Sequence, residues 1–257
     1  MKKHPAPRKT FIKIICFLNY GAVMSLIERA LPLIEEDGAE KLNNASVIVF
    51  GVGGVGSWCA ESLIRCGVGK ITVVDGDTVS ETNRNRQLIA LTSTVGREKA
   101  TVCAERLKDI NPDALVTAIN LFYSAETAEQ IDLTQYDYIA DCIDTVTSKL
   151  LLIQRASECG VPIISSMGTG NRLDPSRVTV TDIYKTSGDP LARVMRKELR
   201  ARGVEHLRVV CSDEPPSKCI EGRNEITGRA TPSSAVFVPA TAGIRLAHEI
   251  VESLRSR

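Results

Sequence analysis

The stretch "ASVIVFGVGGVGSWCAESLIRCG" (45–67) decides the reading of the fold. Residues 45–51 are a β-branched apolar run ending in glycine, the pattern of a strand buried on both faces in a parallel sheet. Residues 56–67 carry apolar side chains at helical spacing and stop at Gly67. Between them Gly51, Gly53 and Gly56 stand in G-x-G-x-x-G register. Gly51 permits a tight turn, Gly53 and Gly54 let backbone approach a phosphate, and Gly56 permits close helix–strand packing. Backbone N–H groups at the helix start favour an anion. A glycine turn without a ligand is the plain alternative, and the strand–glycine–helix order favours a nucleotide.

Outward from this stretch the same rhythm repeats. "KITVVDGD" (70–77) reads as a second strand, with Asp75 and Asp77 at its end. Asp75 lies 24 residues after Gly51, where a carboxylate can accept ribose hydroxyls. A polar loop then carries Asn83, Arg84, Arg86 and Gln87, and Lys99 follows in a helix over 96–112. A nicotinamide dinucleotide has no need of Arg86 and Lys99 converging there. A triphosphate does, because its charges must be neutralised in a dry cleft. Asn83 can bond a ribose or a phosphate, and a solvated basic loop is the alternative for any one of these residues alone.

Residues 113–120 read as a third strand, 136–144 as a fourth and 161–168 as a fifth, with a helix over 145–159. Asp144 falls at the C-terminal end of the fourth strand, the sheet edge where ligands gather. An acid there can hold Mg²⁺ through water, cap the following helix, or do both. The fold class is α/β: a Rossmann-like, mostly parallel sheet with helices on both faces. After Gly170 the rhythm changes to an antiparallel strand (176–186), a basic helix (190–203), a strand-and-loop stretch (206–234) and a closing helix (235–254). We read 24–257 as a single domain, with a nucleotide-binding core over 24–170 and a substrate-side region over 171–257. A further helix is expected over 25–42. Residues 1–23 are read as a poorly ordered extension: Lys13 interrupts the apolar run that a signal peptide would need.

The 257 residues carry a net charge of +1, so any anionic partner must be held by a local patch. Eight cysteines form no CxxC pair, which points to free thiols in a reducing cytoplasm and no zinc. No stretch reaches the roughly 20 apolar residues of a membrane span.

"GVGGVG", "DGDTVSETNRNRQ", "VGREKA" and "DCIDT" together resemble the ubiquitin-activating-enzyme-like (ThiF/MoeB-type) adenylating superfamily. The resemblance covers roughly 25–170. It implies that Asp75 binds ribose, that Asn83, Arg86 and Lys99 bind the nucleotide phosphates, and that Asp144 binds the metal of Mg-ATP. Asp77 and Gln87 belong to the same nucleotide set. Arg29 matches an arginine that the family sends across a homodimer interface into the phosphate site. Position 84 is usually aliphatic, so Arg84 is expected to face solvent. The segments "SSMGTGNRLDPSRVTVTDIYKTSGDPLARVMRKELRARG", "VVCSDEPP" and "VPATAGIRLAHEIV" look like the tRNA threonylcarbamoyladenosine dehydratase branch. That likeness implies adenylation of the threonyl carboxylate of the modified adenosine by ATP, then ring closure from within with loss of AMP. An aromatic residue commonly stands in that branch where this chain has Cys211, which we read as a packed strand cysteine rather than a nucleophile. The strip 192–208, with Arg193, Arg196, Lys197 and Arg200, is the candidate tRNA contact, against the alternative of an ordinary solvated helix face. Three rivals remain: an adenylyltransferase for a ubiquitin-like or sulfur-carrier protein, a nicotinamide oxidoreductase, and a non-catalytic nucleotide sensor. Any sulfur-transfer or electron partner is left unassigned.

Overall fold

The computed structural model describes residues 26–217, 222–223 and 230–257, so the extension 1–23 and Cys219 lie outside the described residues. In chain order the elements are α1 (Leu31–Ile34), α2 (Glu36–Asn44), β1 (Ser46–Phe50), α3 (Gly56–Arg65), β2 (Lys70–Val74), α4 (Lys99–Ile110) and β3 (Leu115–Ile119). Then follow β4 (Tyr138–Asp141), α5 (Val146–Cys159), β5 (Ile163–Ser166), β6 (Val178–Asp182), α6 (Pro190–Ala201), β7 (Arg208–Ser212), β8 (Gly222–Arg223), β9 (Ala230–Thr231) and α7 (Phe237–Arg255). The helix expected over 25–42 is broken. Glu35 takes φ 63° between α1 and α2, a left-handed conformation that a non-glycine residue adopts only under constraint.

Seven strands form one sheet in the order β3-β2-β1-β4-β5-β7-β6. All neighbours are parallel except β6 and β7, which run antiparallel through Val180 opposite Val210. The sequence direction of the sheet reverses at β1: β2 and β3 lie on one side of it, β4 and β5 on the other. Such a switch point opens a crevice beyond the C-terminal strand ends, because the two following crossovers diverge to opposite faces. Here the glycine loop after β1 and the 142–145 loop after β4 stand side by side at the switch point.

One face of the sheet is covered by α3, α4 and α7 around Val47, Val49, Leu63, Ile64, Leu107, Leu246 and Ile250. The other face carries α5, packed on Ile48, Phe50 and Ile139, and then α6, packed on Val209 and Cys211. α7 comes from the region after residue 170 yet lies directly on α3. A Cβ at Gly243 would stand 2.3 Å from the Val55 carbonyl oxygen, so only glycine allows the two helices this approach. The same apolar cluster runs through Val49, Val178, Val210 and Val238, so both regions share one core.

Candidate active site

The glycine loop owes its shape to close backbone contacts. Gly51 has φ +80°, and a Cβ there would meet the Cys142 carbonyl oxygen at 2.8 Å. A Cβ at Gly56 would lie 1.7 Å from the Gly51 carbonyl oxygen. The loop is thus wedged against the 142–145 loop across the switch point. Asp75, at the end of β2, accepts hydrogen bonds from Val52 N at 2.8 Å and from Asp77 N at 2.9 Å. It therefore fixes the loop's path as well as offering its remaining lone pairs to a ligand. Burial pushes its carboxyl above the usual range, and the Lys99 charge pulls it back down.

Lys99 opens α4 with its side chain almost buried, and its ammonium bonds Asp77 Oδ2 at 2.7 Å. Arg86 packs against the glycine loop. Its Cγ would touch a Cβ placed on Gly54 at 3.5 Å, and its guanidinium donates to the Thr82 carbonyl and Asn85 Oδ1 at 3.0 Å. Burial lowers the Arg86 pKa, a penalty that a phosphate beside it would relieve. Gln87 is buried next to Gly53, and its Oε1 has no hydrogen-bond partner. Gln87 Nε2 lies nearest Gly53, so the side chain packs beneath the glycine loop.

The loop 80–88 is stapled to α3. Trp58 Nε1 donates to the Arg86 carbonyl at 3.2 Å, and Ser57 Oγ donates to the Gly53 carbonyl while accepting from Leu88 N. These two residues escaped the sequence reading, since nothing about an indole or a hydroxyl inside an apolar helix marks it as a loop anchor. Asn83 is buried, and its Oδ1 accepts from Ser80 N at 3.1 Å, so it shapes the loop that presents Arg86. Arg84 is exposed and pairs with Glu81 at 2.8 Å, as a solvent-facing residue should.

Two expectations are corrected. Asp144 is not on the fourth strand, which ends at Asp141, and it does not cap α5. The cap position is Thr145, without a side-chain cap bond, and Asp144 is exposed with only the Thr145 hydroxyl donating to it at 3.3 Å. Its carboxylate is therefore free in the loop after β4. The basic strip is also smaller than its sequence suggests. Arg193 and Lys197 are exposed, and Arg200 is exposed with its guanidinium 5.0 Å above the Tyr184 ring. Arg196 instead bonds Thr186 through its carbonyl and hydroxyl, because α6 turns that position toward the 183–186 turn. Arg202 pairs with Glu198, and Arg208 pairs with Glu249.

Arg29 is exposed in the turn before α1 and makes no hydrogen bond or ion pair among the described residues; nothing ties it to the glycine loop within one chain. Cys211 is buried in β7, its thiol pushed up by burial, with Thr179 Oγ1 at 3.9 Å. The region after β5 is tied at Asn171, which takes φ 58°, a conformation asparagine tolerates. It exchanges hydrogen bonds with Ser233 at 2.7 Å and accepts from Ser217 N, while Asn85 Nδ2 donates to the Ser234 carbonyl. Through these bonds the nucleotide loop, the exit of β5 and the start of α7 meet at one place. Among the described residues no group of three or more His, Cys, Asp or Glu could by itself hold a metal ion. No described helix is long and apolar enough to cross a membrane.

Residues 27–254 match the ThiF family model. The chain is 42% identical over 231 residues to a tRNA threonylcarbamoyladenosine dehydratase of Bacillus subtilis, covering 86% of this chain and 91% of that protein. The solved structure of the Escherichia coli tRNA N6-threonylcarbamoyladenosine dehydratase in complex with AMP superposes with a TM-score of 0.85 at 31% identity, over 94% of this chain and 98% of that one. The complex of the same Escherichia coli enzyme with ATP gives 0.82 at 33% identity, over 91% and 95%. With the glycine loop, the paired acids and the arginine–lysine set all at the switch point, the chain belongs to the ThiF family, on its tRNA threonylcarbamoyladenosine dehydratase branch.

Proposed function

We propose that this protein is an ATP-dependent dehydratase of threonylcarbamoyladenosine in tRNA. The observation that carries the reading is that Asp75 and Arg86 lie against the glycine loop, with Lys99 paired to Asp77 next to Asp75, in a chain whose likeness to the dehydratases runs through both its regions. The threonyl carboxylate attacks the α-phosphorus of ATP and pyrophosphate leaves. The carbamoyl group then attacks the acyl carbon, and AMP leaves with the carboxylate oxygen. One water is lost overall and a ring is closed. Because the second nucleophile is tethered beside the acyl carbon, its effective concentration is high and no enzyme thiol is needed.

The protein's part is to hold charge and geometry. Asp75 accepts the ribose hydroxyls, Gly53 and Gly54 give the phosphates access to backbone N–H groups, and Arg86 and Lys99 neutralise the triphosphate. Asn83, Asp77 and Gln87 shape and complete that pocket. The exposed carboxylate of Asp144 would hold the Mg²⁺ of Mg-ATP, and that ion would neutralise charge on the leaving pyrophosphate. Arg29 reaches the phosphates from the second subunit of a homodimer. Exposed Arg193, Lys197 and Arg200 contact the tRNA backbone, and the enzyme works in the cytoplasm where that tRNA is found.

The test is incubation with Mg-ATP and tRNA bearing threonylcarbamoyladenosine, followed by nucleoside mass analysis. Loss of one water from the modified adenosine, with AMP formed in equal amount, is expected. ATP consumption only with a Gly-Gly-ended carrier protein would put the adenylyltransferase reading in its place.

A further inference from the structure

Behind the switch point lies a fully buried ion pair that the reaction does not use. Lys149 of α5 and Asp141 of β4 both have side chains at 0% exposure, and their Nζ–Oδ2 distance is 2.7 Å. Lys149 Nζ also donates to Ser165 Oγ of β5 at 3.0 Å, and that hydroxyl donates to Asp141 Oδ2. The other carboxylate oxygen, Oδ1, accepts from the backbone N–H of Ile143 at 3.1 Å. Ile143 stands between Cys142, whose carbonyl abuts Gly51, and Asp144. The Lys149 and Ser165 contacts orient Asp141, and its Oδ1 carries that orientation into the 142–145 loop through Ile143.

Stability alone does not explain such a pair. Removing two ions from water is costly, and an apolar pair of similar volume serves a core as well or better. What an apolar pair cannot supply is an acceptor for Ile143 N–H, an orientation for that acceptor, and a link from β5 to the loop. We infer that Lys149, Asp141 and Ser165 form a positioning cluster that fixes the 142–145 loop against the glycine loop and so sets Asp144 at the height needed for metal-bound triphosphate. The inference rests on the reading of Asp144 as a residue facing Mg-ATP. Partners behind a metal-facing residue are known to matter through orientation, and their loss lowers metal affinity about ten- to a hundredfold.

The experiment measures binding rather than turnover. An Asp141→Leu/Lys149→Met double variant keeps a packed core and removes the acceptor. Calorimetry is run with Mg-ATP, with AMP in the absence of magnesium, and with ATP at a series of Mg²⁺ concentrations. The cluster predicts AMP affinity close to that of the parent, Mg-ATP affinity weakened about tenfold or more, and Mg²⁺ half-saturation raised by a similar factor. Unchanged Mg-ATP binding would overturn the inference, and so would AMP and Mg-ATP affinities falling together, since the cluster would then support only the fold. If the double variant does not fold, Ser165→Ala removes two hydrogen bonds, one accepted from Lys149 and one donated to Asp141, and leaves the ion pair. It should raise Mg²⁺ half-saturation in the same direction by a smaller factor, and no change would count against the cluster. A parent protein that binds no Mg-ATP would sink the site reading itself, a result distinct from each of these.

Discussion

Replacing Lys99 by methionine separates a phosphate-binding role from a structural one. The aliphatic stem of Lys99 is buried, while its ammonium reaches Asp77 Oδ2 at 2.7 Å. Methionine fills the stem's space and removes only the charge. The Asp77 side chain is 53% exposed, so the lost ion pair costs about 0–1 kcal/mol of stability. A charge-assisted contact to phosphate is worth more, about 1.5–3 kcal/mol. That corresponds to roughly 10–150-fold in kcat/KM for adenylation. AMP affinity should fall less, because AMP presents one phosphate where ATP presents three. A pH effect follows as well. Lys99 holds down a carboxyl at Asp75 that burial has raised, so in the variant the Asp75 pKa rises further. Protonated Asp75 is a poorer acceptor for ribose, and nucleotide binding should weaken at a higher pH on acidification than in the parent. The stability effect has the opposite sense. With a native pKa above the unfolded one, the contribution of Asp75 is full below the unfolded pKa and lost as pH rises through the native value. The assay is pyrophosphate release with modified tRNA at several pH values, with circular dichroism as the check on folding. A folded Lys99→Met variant with the parent's kcat/KM and pH profile would refute the phosphate role and leave Lys99 as a tie to Asp77.

Gly56→Ala places a Cβ 1.7 Å from the Gly51 carbonyl oxygen, so the loop must shift at a cost of at least about 1–3 kcal/mol, and ATP binding measured by calorimetry should be lost before the fold is. Cys211→Ser should retain most turnover, apart from packing losses; a thousandfold drop with the fold intact, about 4 kcal/mol, would make the thiol catalytic. Arg193, Lys197 and Arg200 changed together to glutamine should weaken tRNA binding and flatten its salt dependence while leaving ATP binding alone, whereas Arg196→Gln should act chiefly through its lost bonds to Thr186. Mixing Arg29→Ala subunits with Lys99→Ala subunits should restore part of the activity that each lacks; no recovery in confirmed mixed dimers would place Arg29 outside the partner's site.

Much of this protein is determined by local pattern. The β-branched run 45–50, the glycines after it and the apolar repeat of α3 settle strand, turn and helix by themselves, because backbone conformation and side-chain period are local quantities. Asp75 and Lys99 are legible in the same way, as the residue after a strand end and the residue that opens a helix, and Arg86 follows from the polar loop between them. Lys149 left a faint trace, a lysine in helical register with buried Leu152, Ile153 and Ala156, but a partner cannot be read from a single helix. Strand order is not a local quantity. Only the packing of β4 beside β1 brings the 142–145 loop against the glycine loop, buries Asp141 where it needs Lys149, and leaves Asp144 free instead of capping α5. The same holds for Arg196, whose charge looked identical to its neighbours' until α6 docked and turned it toward Thr186. Sequence spacing says which side chains share a face of one element; which face meets water, a neighbour or the crevice depends on how the elements pack.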